Sequence, residues 1–163
     1  MIVGLSVLSF LLDGILSKYI LPTSLFLPLF MIVSLVIIYP YFNDNNFRYF
    51  KYIAIVGLLY DITYMNTIFF NFFLFMILGF IIIFFSYLLS NNLYTSLLFT
   101  VISIFFYRIF TYLFIVIFRK IPFSFFDLAK SIYSSLLLNI LYCVLLYVFS
   151  EILRKKYKIL RSK

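Results

Sequence analysis

The run LYTSLLFTVISIFFYRIFTYLFIVIF, residues 93–118, decides the fold class. It contains a single charged residue, Arg108, and it is longer than the ~20 apolar residues that a helix needs to cross a bilayer. Two asparagines at 91–92 precede it, and an Arg-Lys pair at 119–120 follows it. The run therefore predicts a transmembrane helix.

Five further apolar segments extend this interpretation along the chain. Polar or charged residues separate them, and most are long enough to cross the hydrocarbon layer. The sequence thus predicts an all-α membrane protein, a six-transmembrane-helix bundle with one transmembrane domain at 1–153 and a basic cytoplasmic tail at 154–163. The predicted spans lie near 2–21, 24–42, 52–64, 67–90, 93–118 and 126–153.

The third segment leaves two interpretations open, because only nine residues separate Lys51 from Asp61. In one, the helix continues to Phe70 and carries a carboxylate at mid-membrane. In the other, it ends near Tyr64 as a short or tilted span followed by a tight turn. Both keep Asp61 inside the hydrocarbon, and both give an even number of crossings.

The composition excludes several classes of protein. Hydrophobic residues make up 66% of the 163 residues, charged residues 11%, and the mean hydropathy is +1.19. A soluble domain is about half apolar and about a quarter charged, so a soluble enzyme, a disulfide-stapled secreted domain and a disordered chain are excluded. With no histidine, one cysteine and five acidic residues, the chain offers few catalytic or metal-binding sets. We therefore expect no enzymatic activity and no cofactor.

Positive charges predict the orientation of the bundle. Lysine and arginine near span ends favour the cytoplasm, and six of them follow Glu151. Six crossings then put both termini in the cytoplasm with the 43–51 loop, although the basic residues at 119, 120 and 130 lie around an outer loop. A five-span layout would move Arg48 and Lys51 outside and is less favoured.

Polar residues follow one face of several spans at helical spacing. These stripes indicate close packing with hydrogen bonds between helices, or alternatively a polar groove for a ligand or a partner's helix; packing is favoured. Their members are Ser6, Ser9, Asp13 and Ser17; Asn71, Gly79, Ser86 and Ser90; Ser96, Thr100, Ser103, Tyr107 and Thr111; and Ser131, Ser135, Asn139, Tyr142 and Cys143.

Three ionisable residues come near mid-depth in the predicted spans, at a rise of ~1.5 Å per residue: Asp13, Asp61 and Arg108. A charge at the centre of a membrane helix costs about 2.5–3.5 kcal/mol even on the insertion scale, so such residues usually pair. We expect a buried polar cluster in which Arg108 is neutralised by Asp61 first and by Asp13 second. In the alternative, Arg108 extends towards the outer surface. Asp13 is then capped by Ser9 and Ser17, or is protonated.

The tail EILRKKYKILRSK, residues 151–163, interleaves basic and apolar residues. We expect it to extend the sixth helix and to bind anionic lipids, at roughly 1 kcal/mol per basic residue near the surface. A simple topology anchor is an equally good interpretation. Nucleic acid is not an expected partner, because the chain shows no base-reading module. The residues that face lipid in this interpretation are Arg154, Lys155, Lys156 and Lys158.

The segment Gly57-Leu-Leu-Tyr-Asp61 closes the third span. With the six-span layout and the long apolar fourth span, it resembles the Gly-x-x-x-Asp motif of the MreD family, the rod-shape-determining membrane proteins of bacteria. The resemblance implies a fold similar to the substrate-binding component of energy-coupling-factor transporters. It also implies a non-catalytic scaffold of the cell-elongation machinery in the plasma membrane. Such a scaffold binds MreC and is linked through it to MreB, RodA and the transpeptidase.

Two other classes are alternatives. A substrate-capture subunit of a vitamin transporter shares size and hydropathy with this chain, and fold does not decide function. Such subunits commonly use small-residue motifs, whereas this chain has four glycines and two alanines. A membrane enzyme acting on lipid head groups needs clustered acidic or histidine residues at an interface, which the sequence does not show. The scaffold is therefore the favoured interpretation.

Overall fold

The computed structural model describes residues 2–20, 28–42, 45–65, 69–87, 89, 92–119 and 122–161, with side chains except at 19, 20, 65, 119 and 156–161. The described residues form six α-helices, which confirms the predicted all-α class. Two of them, the fifth and sixth, are long and apolar enough to cross a membrane. The helices are α1 (Ile2–Ile20), α2 (Phe30–Ile38), α3 (Asn46–Tyr60), α4 (Phe70–Ser86), α5 (Leu93–Arg119) and α6 (Phe125–Arg161).

The second predicted span is a shorter helix than expected. The sequence predicts a span over 24–42, whereas α2 begins at Phe30 and continues after Ile38 as a 3₁₀ turn, Tyr39–Phe42. Pro28 and Leu29 are not helical, and residues 21–27 lie outside the described residues. Proline has no N–H and disfavours helical backbone in the residue before it, so Pro28 favours a helix that starts after it.

The third helix begins earlier than residue 52, where the sequence placed the start of the third predicted span. The Asn45 side chain accepts a hydrogen bond from the backbone N–H of Arg48 (3.1 Å) and caps α3. After Tyr60 the helix widens into a π-helical turn, Asp61–Met65. Of the two interpretations of this segment, the structure agrees with the one that ends near Tyr64.

Helix α2 occupies the centre of the bundle. All nine of its residues are buried, and it packs against α1, α4, α5 and α6. A helix that is apolar all round is stable only when neighbours cover every face. The longest pairwise interfaces outside this centre are α3 with α4 and α5 with α6. Helices α2 and α4 therefore each lie against at least three other helices.

Hydrogen bonds join helix ends at both ends of the bundle. At one end, Tyr39 donates to Asn46 Oδ1 (3.2 Å), and Asn46 Nδ2 donates to the Tyr87 hydroxyl (2.8 Å). At the other end, the Tyr112 hydroxyl donates to the Ser124 carbonyl (3.0 Å) and accepts from the Ser124 N–H (2.9 Å). This pattern makes α2, α3 and α4 antiparallel in turn, and α5 antiparallel to α6.

The polar stripes face the interior wherever the structure describes their central members. Ser9 Oγ and the Tyr142 hydroxyl are 2.8 Å apart, between α1 and α6, and the Thr100 hydroxyl donates to Cys143 Sγ at 3.3 Å between α5 and α6. These contacts agree with the packing interpretation. The buried members are Ser6, Ser9, Asp13, Asn71, Gly79, Thr100, Ser103, Tyr107, Ser135, Asn139, Tyr142 and Cys143.

The outer surface of the bundle is apolar as well. Phe73, Phe80 and Phe84 project from one face of α4, and Leu141 and Leu145 project from α6; each is more than half exposed. Soluble monomers rarely expose contiguous apolar patches of this kind. Apolar side chains on both the inside and the outside are consistent with the two membrane-length helices.

Candidate functional site

The carboxylate of Asp13 caps the start of α2 from the middle of α1. Its Oδ1 accepts a hydrogen bond from the N–H of Phe30 (2.7 Å), and its Oδ2 accepts one from the N–H of Met31 (2.9 Å). The Asp13 side chain is buried, with 2% of its surface exposed. Asp13 therefore fixes where the central helix begins relative to α1.

The carboxylate of Asp61 caps the start of α4 in the same way. Its Oδ1 accepts from the N–H of Asn71 (2.9 Å), and its Oδ2 accepts from the N–H of Phe72 (3.1 Å). The Asn71 side chain adds a third bond, from Nδ2 to Oδ1 at 2.9 Å. Asp61 starts the π-helical turn, so its own N–H still bonds to the carbonyls of Gly57 and Leu58.

Both caps satisfy backbone N–H groups at the start of a helix that begins inside the bundle. The first N–H groups of a helix have no partner within the helix, and they form the positive end of its dipole. In an apolar interior each unsatisfied N–H costs several kcal/mol. A carboxylate accepts two such bonds and places a negative charge at the positive end. The starts of α2 and α4 therefore lie inside the bundle and need these acids.

Gly57 allows α3 to approach α4 at the second cap. A methyl group added at Gly57 would lie 2.8 Å from the Phe72 Cα and 3.0 Å from the Asn71 carbonyl oxygen. Both of these atoms belong to the backbone, so a side-chain rotation cannot relieve the contact. Gly57 and Asp61, the two residues of the predicted motif, therefore act on the same joint between α3 and α4.

Two asparagines and a tyrosine, which the sequence placed only in polar stripes, complete the caps. The Tyr107 hydroxyl donates to Asn71 Oδ1 (3.0 Å) and so connects α5 to the Asp61 cap. Asn139 Oδ1 accepts from the N–H of Leu29 (2.8 Å), while Asn139 Nδ2 donates to the Ser135 carbonyl (2.6 Å). The sequence signal for these contacts was an asparagine on the inner face of an otherwise apolar helix.

Arg108 does not form the predicted ion pair. Its Nε donates to Ser135 Oγ at 2.6 Å across the α5–α6 interface. Among the described residues, the ion pair within 4.0 Å joins Arg154 to Glu151 and includes neither Asp13 nor Asp61. The helix starts, and not the guanidinium, satisfy the two carboxylates.

The serine alternative is wrong as well, since Ser9 bonds to Leu5 and Tyr142 and Ser17 bonds to Gly14. The depths estimated from the sequence put the three ionisable residues near one level. They did not reveal that α2 begins beside Asp13 and that α4 begins beside Asp61.

The basic tail continues α6 as one helix to Arg161. Arg154 Nη1 lies 3.2 Å from Glu151 Oε1 one turn earlier, and both Arg154 and Lys155 are exposed. The side chains of Lys156 and Lys158 lie outside the described residues. The helix thus carries the first basic residues of the tail at the end of the bundle where α2 ends and α5 begins.

Three apolar grooves open on the described surface between neighbouring helices. The largest, about 710 Å³, lies between α4 and α5; another of about 460 Å³ lies between α5 and α6, and one of about 350 Å³ lies between α1 and α3. The described residues contain no group of three or more metal-ligating side chains. Hydrogen bonds connect most of the buried polar side chains, while the open space in these three grooves is mostly apolar.

Neither the family models nor the curated proteins nor the solved structures contain a match to this chain.

Proposed function

We propose that this protein is a non-catalytic membrane scaffold of the bacterial cell-elongation machinery, resembling MreD. The supporting observation is the joint between α3 and α4. Gly57 and Asp61, the residues that carry the resemblance, bring these helices into contact and cap the second one. A motif with this structural role suits a protein whose task is to hold helices, and helix surfaces, in a fixed arrangement.

In this proposal all six helices lie in the plasma membrane, with both termini in the cytoplasm. The antiparallel order of the helices and the apolar outer surface support it. At 1.5 Å per residue, the 17 residues of α4 extend about 26 Å, less than a hydrocarbon layer of about 30 Å. A helix of that length crosses from one interface if it starts below the other. The Asp61 cap supports such a start, because it satisfies the first N–H groups of α4 inside the bundle.

The scaffold role concerns partners rather than chemistry. MreC is the direct partner in this proposal, and MreB, RodA and the transpeptidase are connected through it. Membrane helices associate by close packing and by interhelical hydrogen bonds, and the apolar grooves between described helices offer surfaces for such packing. A vitamin-capture subunit would instead need a pocket with convergent polar groups, and the larger described cavities are lined mostly by apolar side chains.

The end of α6 contributes a second kind of contact. Arg154 and Lys155 are exposed at the end of the bundle that this proposal places in the cytoplasm. Anionic lipid attracts such residues at roughly 1 kcal/mol each. Since α6 continues as a single helix, we expect Arg154 and Lys155, the tail residues nearest the bundle, to bind lipid phosphates.

Depletion in the native host tests the proposed function. We expect depleted cells to lose their rod shape, and wild-type protein to restore it and to co-purify with MreC. The Gly57→Ala variant should fail to restore shape, whereas Gly4→Ala, at an open position on α1, should restore it. Normal shape after depletion would contradict the scaffold, and loss of vitamin uptake with normal shape would favour the transporter.

A further inference from the structure

Helices α5 and α6 run antiparallel in one constant register. Three pairs of residues that form a hydrogen bond or line one cleft define it: Ser96 with Tyr147, Thr100 with Cys143, and Arg108 with Ser135. Each step along α5 is matched by an equal step backwards along α6. Leu93 comes three residues before Ser96, and Ser150 comes three residues after Tyr147, so the start of α5 is level with Ser150.

The excess length of α6 lies beyond that level. At the other end the two helices coincide, because Phe118 comes ten residues after Arg108 and Phe125, the first residue of α6, comes ten residues before Ser135. The eleven residues 151–161 therefore project about 16 Å past the start of α5, at 1.5 Å per residue. The sequence has no glycine or proline in this segment, and sharp kinks in helices usually need such residues. The segment thus continues the direction of α6.

In the proposed membrane placement, the projecting segment extends beyond the lipid head groups. The 27 residues of α5 extend about 40 Å, close to the thickness of a bilayer with its head groups, about 40–45 Å. Ser150 is then near the water-facing edge of the head-group layer, and Arg161 is about 16 Å further out. The attraction of anionic lipid decays within a Debye length, about 8 Å at physiological ionic strength. The last turns of α6 are therefore beyond its reach.

The side of α6 that packs against other helices becomes basic and aromatic where the helix leaves the bundle. Within the bundle this side buries residues three or four apart: Asn139, Cys143, Leu146 and Ser150. The same helical spacing continues through Arg154, Tyr157 and Arg161, and Lys158 is beside them. These positions overhang the end of the bundle.

The opposite side of α6 carries different residues. Within the bundle it consists of apolar residues that are more than half exposed: Leu141, Leu145 and Ile152. The same spacing continues through Lys155, Lys156 and Ile159. In the proposed placement this is the side that lipid surrounds. The projecting segment therefore has one side towards the lipid and another towards the space above the bundle.

We propose that the side of the projecting segment with Tyr157, Lys158 and Arg161 docks an acidic surface of a soluble protein, in the corner between α6 and the end of the bundle. The inference rests on the membrane placement in the proposed function and adds a partner outside the bilayer. Residues 151–161 carry five cations against one carboxylate, Glu151, which pairs with Arg154. Charge therefore selects an anionic occupant, and arginine and tyrosine are residues that protein interfaces favour.

Position selects a protein over the other occupants. Anionic lipid meets the opposite side of the helix and lies about 16 Å short of Arg161. A second copy of the chain carries the same excess of positive charge in this segment, and like charges across an interface repel. A nucleic acid gains little from Lys158 and Arg161 alone, because its affinity grows with the number of phosphates that are neutralised.

Soluble helical peptides test the proposal with the full-length protein in nanodiscs of neutral phosphatidylcholine. One peptide carries glutamate at every third or fourth position, and its control carries glutamine there. We expect the Glu peptide to bind about tenfold more tightly by fluorescence anisotropy, for two exposed ion pairs. Lys158→Glu with Arg161→Glu should abolish that preference. Lys155→Glu with Lys156→Glu changes the net charge equally on the other side of the helix and should retain most of it.

The projection is tested separately, in a Cys143→Ser background that removes the buried native thiol. Fluorophores are attached at Ile152→Cys and at Leu160→Cys, in nanodiscs that contain phosphatidylserine and lipids with a quencher on the head group. We expect the quencher to act on the fluorophore at position 152 and to leave the one at position 160 unchanged. Equal quenching at both positions would overturn the proposal, because the segment would then lie on the lipid surface.

Equal binding of the Glu and Gln peptides to the wild-type protein would also overturn it. Equal losses in the two double variants would do the same, because net charge alone would then explain the binding. Tighter binding of a DNA oligonucleotide than of the Glu peptide would assign this side of α6 to nucleic acid and reject the protein partner. These measurements do not depend on cell shape, so normal shape after depletion would reject the scaffold and leave the docking site standing.

Discussion

Asp13 Oδ1 accepts a 2.7 Å hydrogen bond from the backbone N–H of Phe30, seventeen residues further along the chain. Asp61 makes the corresponding contact with Asn71 at 2.9 Å, ten residues further along. In each case the second carboxylate oxygen accepts from the next N–H of the same helix. Two helix starts that would be costly inside an apolar bundle are thereby made stable.

Replacing Asp13 by Asn removes one of the two acceptors and the negative charge at the start of α2. We expect Asp13→Asn to lower the free energy of unfolding by about 1–3 kcal/mol, since one buried N–H loses its partner. Thermal or denaturant unfolding of the purified protein in detergent measures the change. The control is Asp127→Asn, an exposed acid in the first turn of α6, for which we expect a loss below about 1 kcal/mol. Equal losses in the two variants would contradict a structural role for the Asp13 cap.

The sequence predicted the helices whose ends carry polar signals and missed those that start inside an apolar run. Helix α5 was placed within one residue of its observed end, because asparagines precede it and basic residues follow it. Hydropathy did not reveal the start of α2 at Phe30, since it is high on both sides of that residue, and the signal of Pro28 was not used. Because these helix starts were missed, Asp13 and Asp61 were predicted to pair with Arg108. Their observed partners are backbone N–H groups, which nearly every residue carries and which a sequence pattern therefore does not mark.

Gly57→Ala should destabilise the protein through a backbone clash. A methyl group at this position would meet the Phe72 Cα at 2.8 Å, and overpacking of this kind typically costs about 1–3 kcal/mol. Gly4→Ala is the matched control, because nothing lies within 4 Å of the added methyl group. Alanine is the better helix former by up to about 1 kcal/mol, so the control should be neutral or stabilising. Unfolding midpoints that move in the same direction would argue against close contact between α3 and α4 at this point.

Tyr107→Phe removes the hydroxyl that connects α5 to the Asp61 cap through Asn71. We expect a loss of about 0.5–1.5 kcal/mol, the usual worth of one hydrogen bond, measured by denaturant unfolding. In a double-mutant cycle with Asn71→Ala, the two losses should not add, because each variant removes the same bond. Tyr133→Phe, at a side chain that is 77% exposed, should change nothing. Additive losses in the cycle would show that Tyr107 stabilises the bundle by packing alone.

The orientation of α5 is open to a direct chemical test. Tyr94, at the start of α5, and Phe123, just before α6, are both exposed and lie at opposite ends of the α5–α6 hairpin. In a Cys143→Ser background, which removes the buried native thiol, we expect Phe123→Cys to react with a membrane-impermeant maleimide in intact spheroplasts. Tyr94→Cys should react only after the membrane is opened, because the proposed orientation puts this end of the bundle, with the basic residues at the end of α6, in the cytoplasm. Labelling of both cysteines from outside would show that α5 does not cross the membrane, and the opposite pattern would place the basic end of α6 outside the cell.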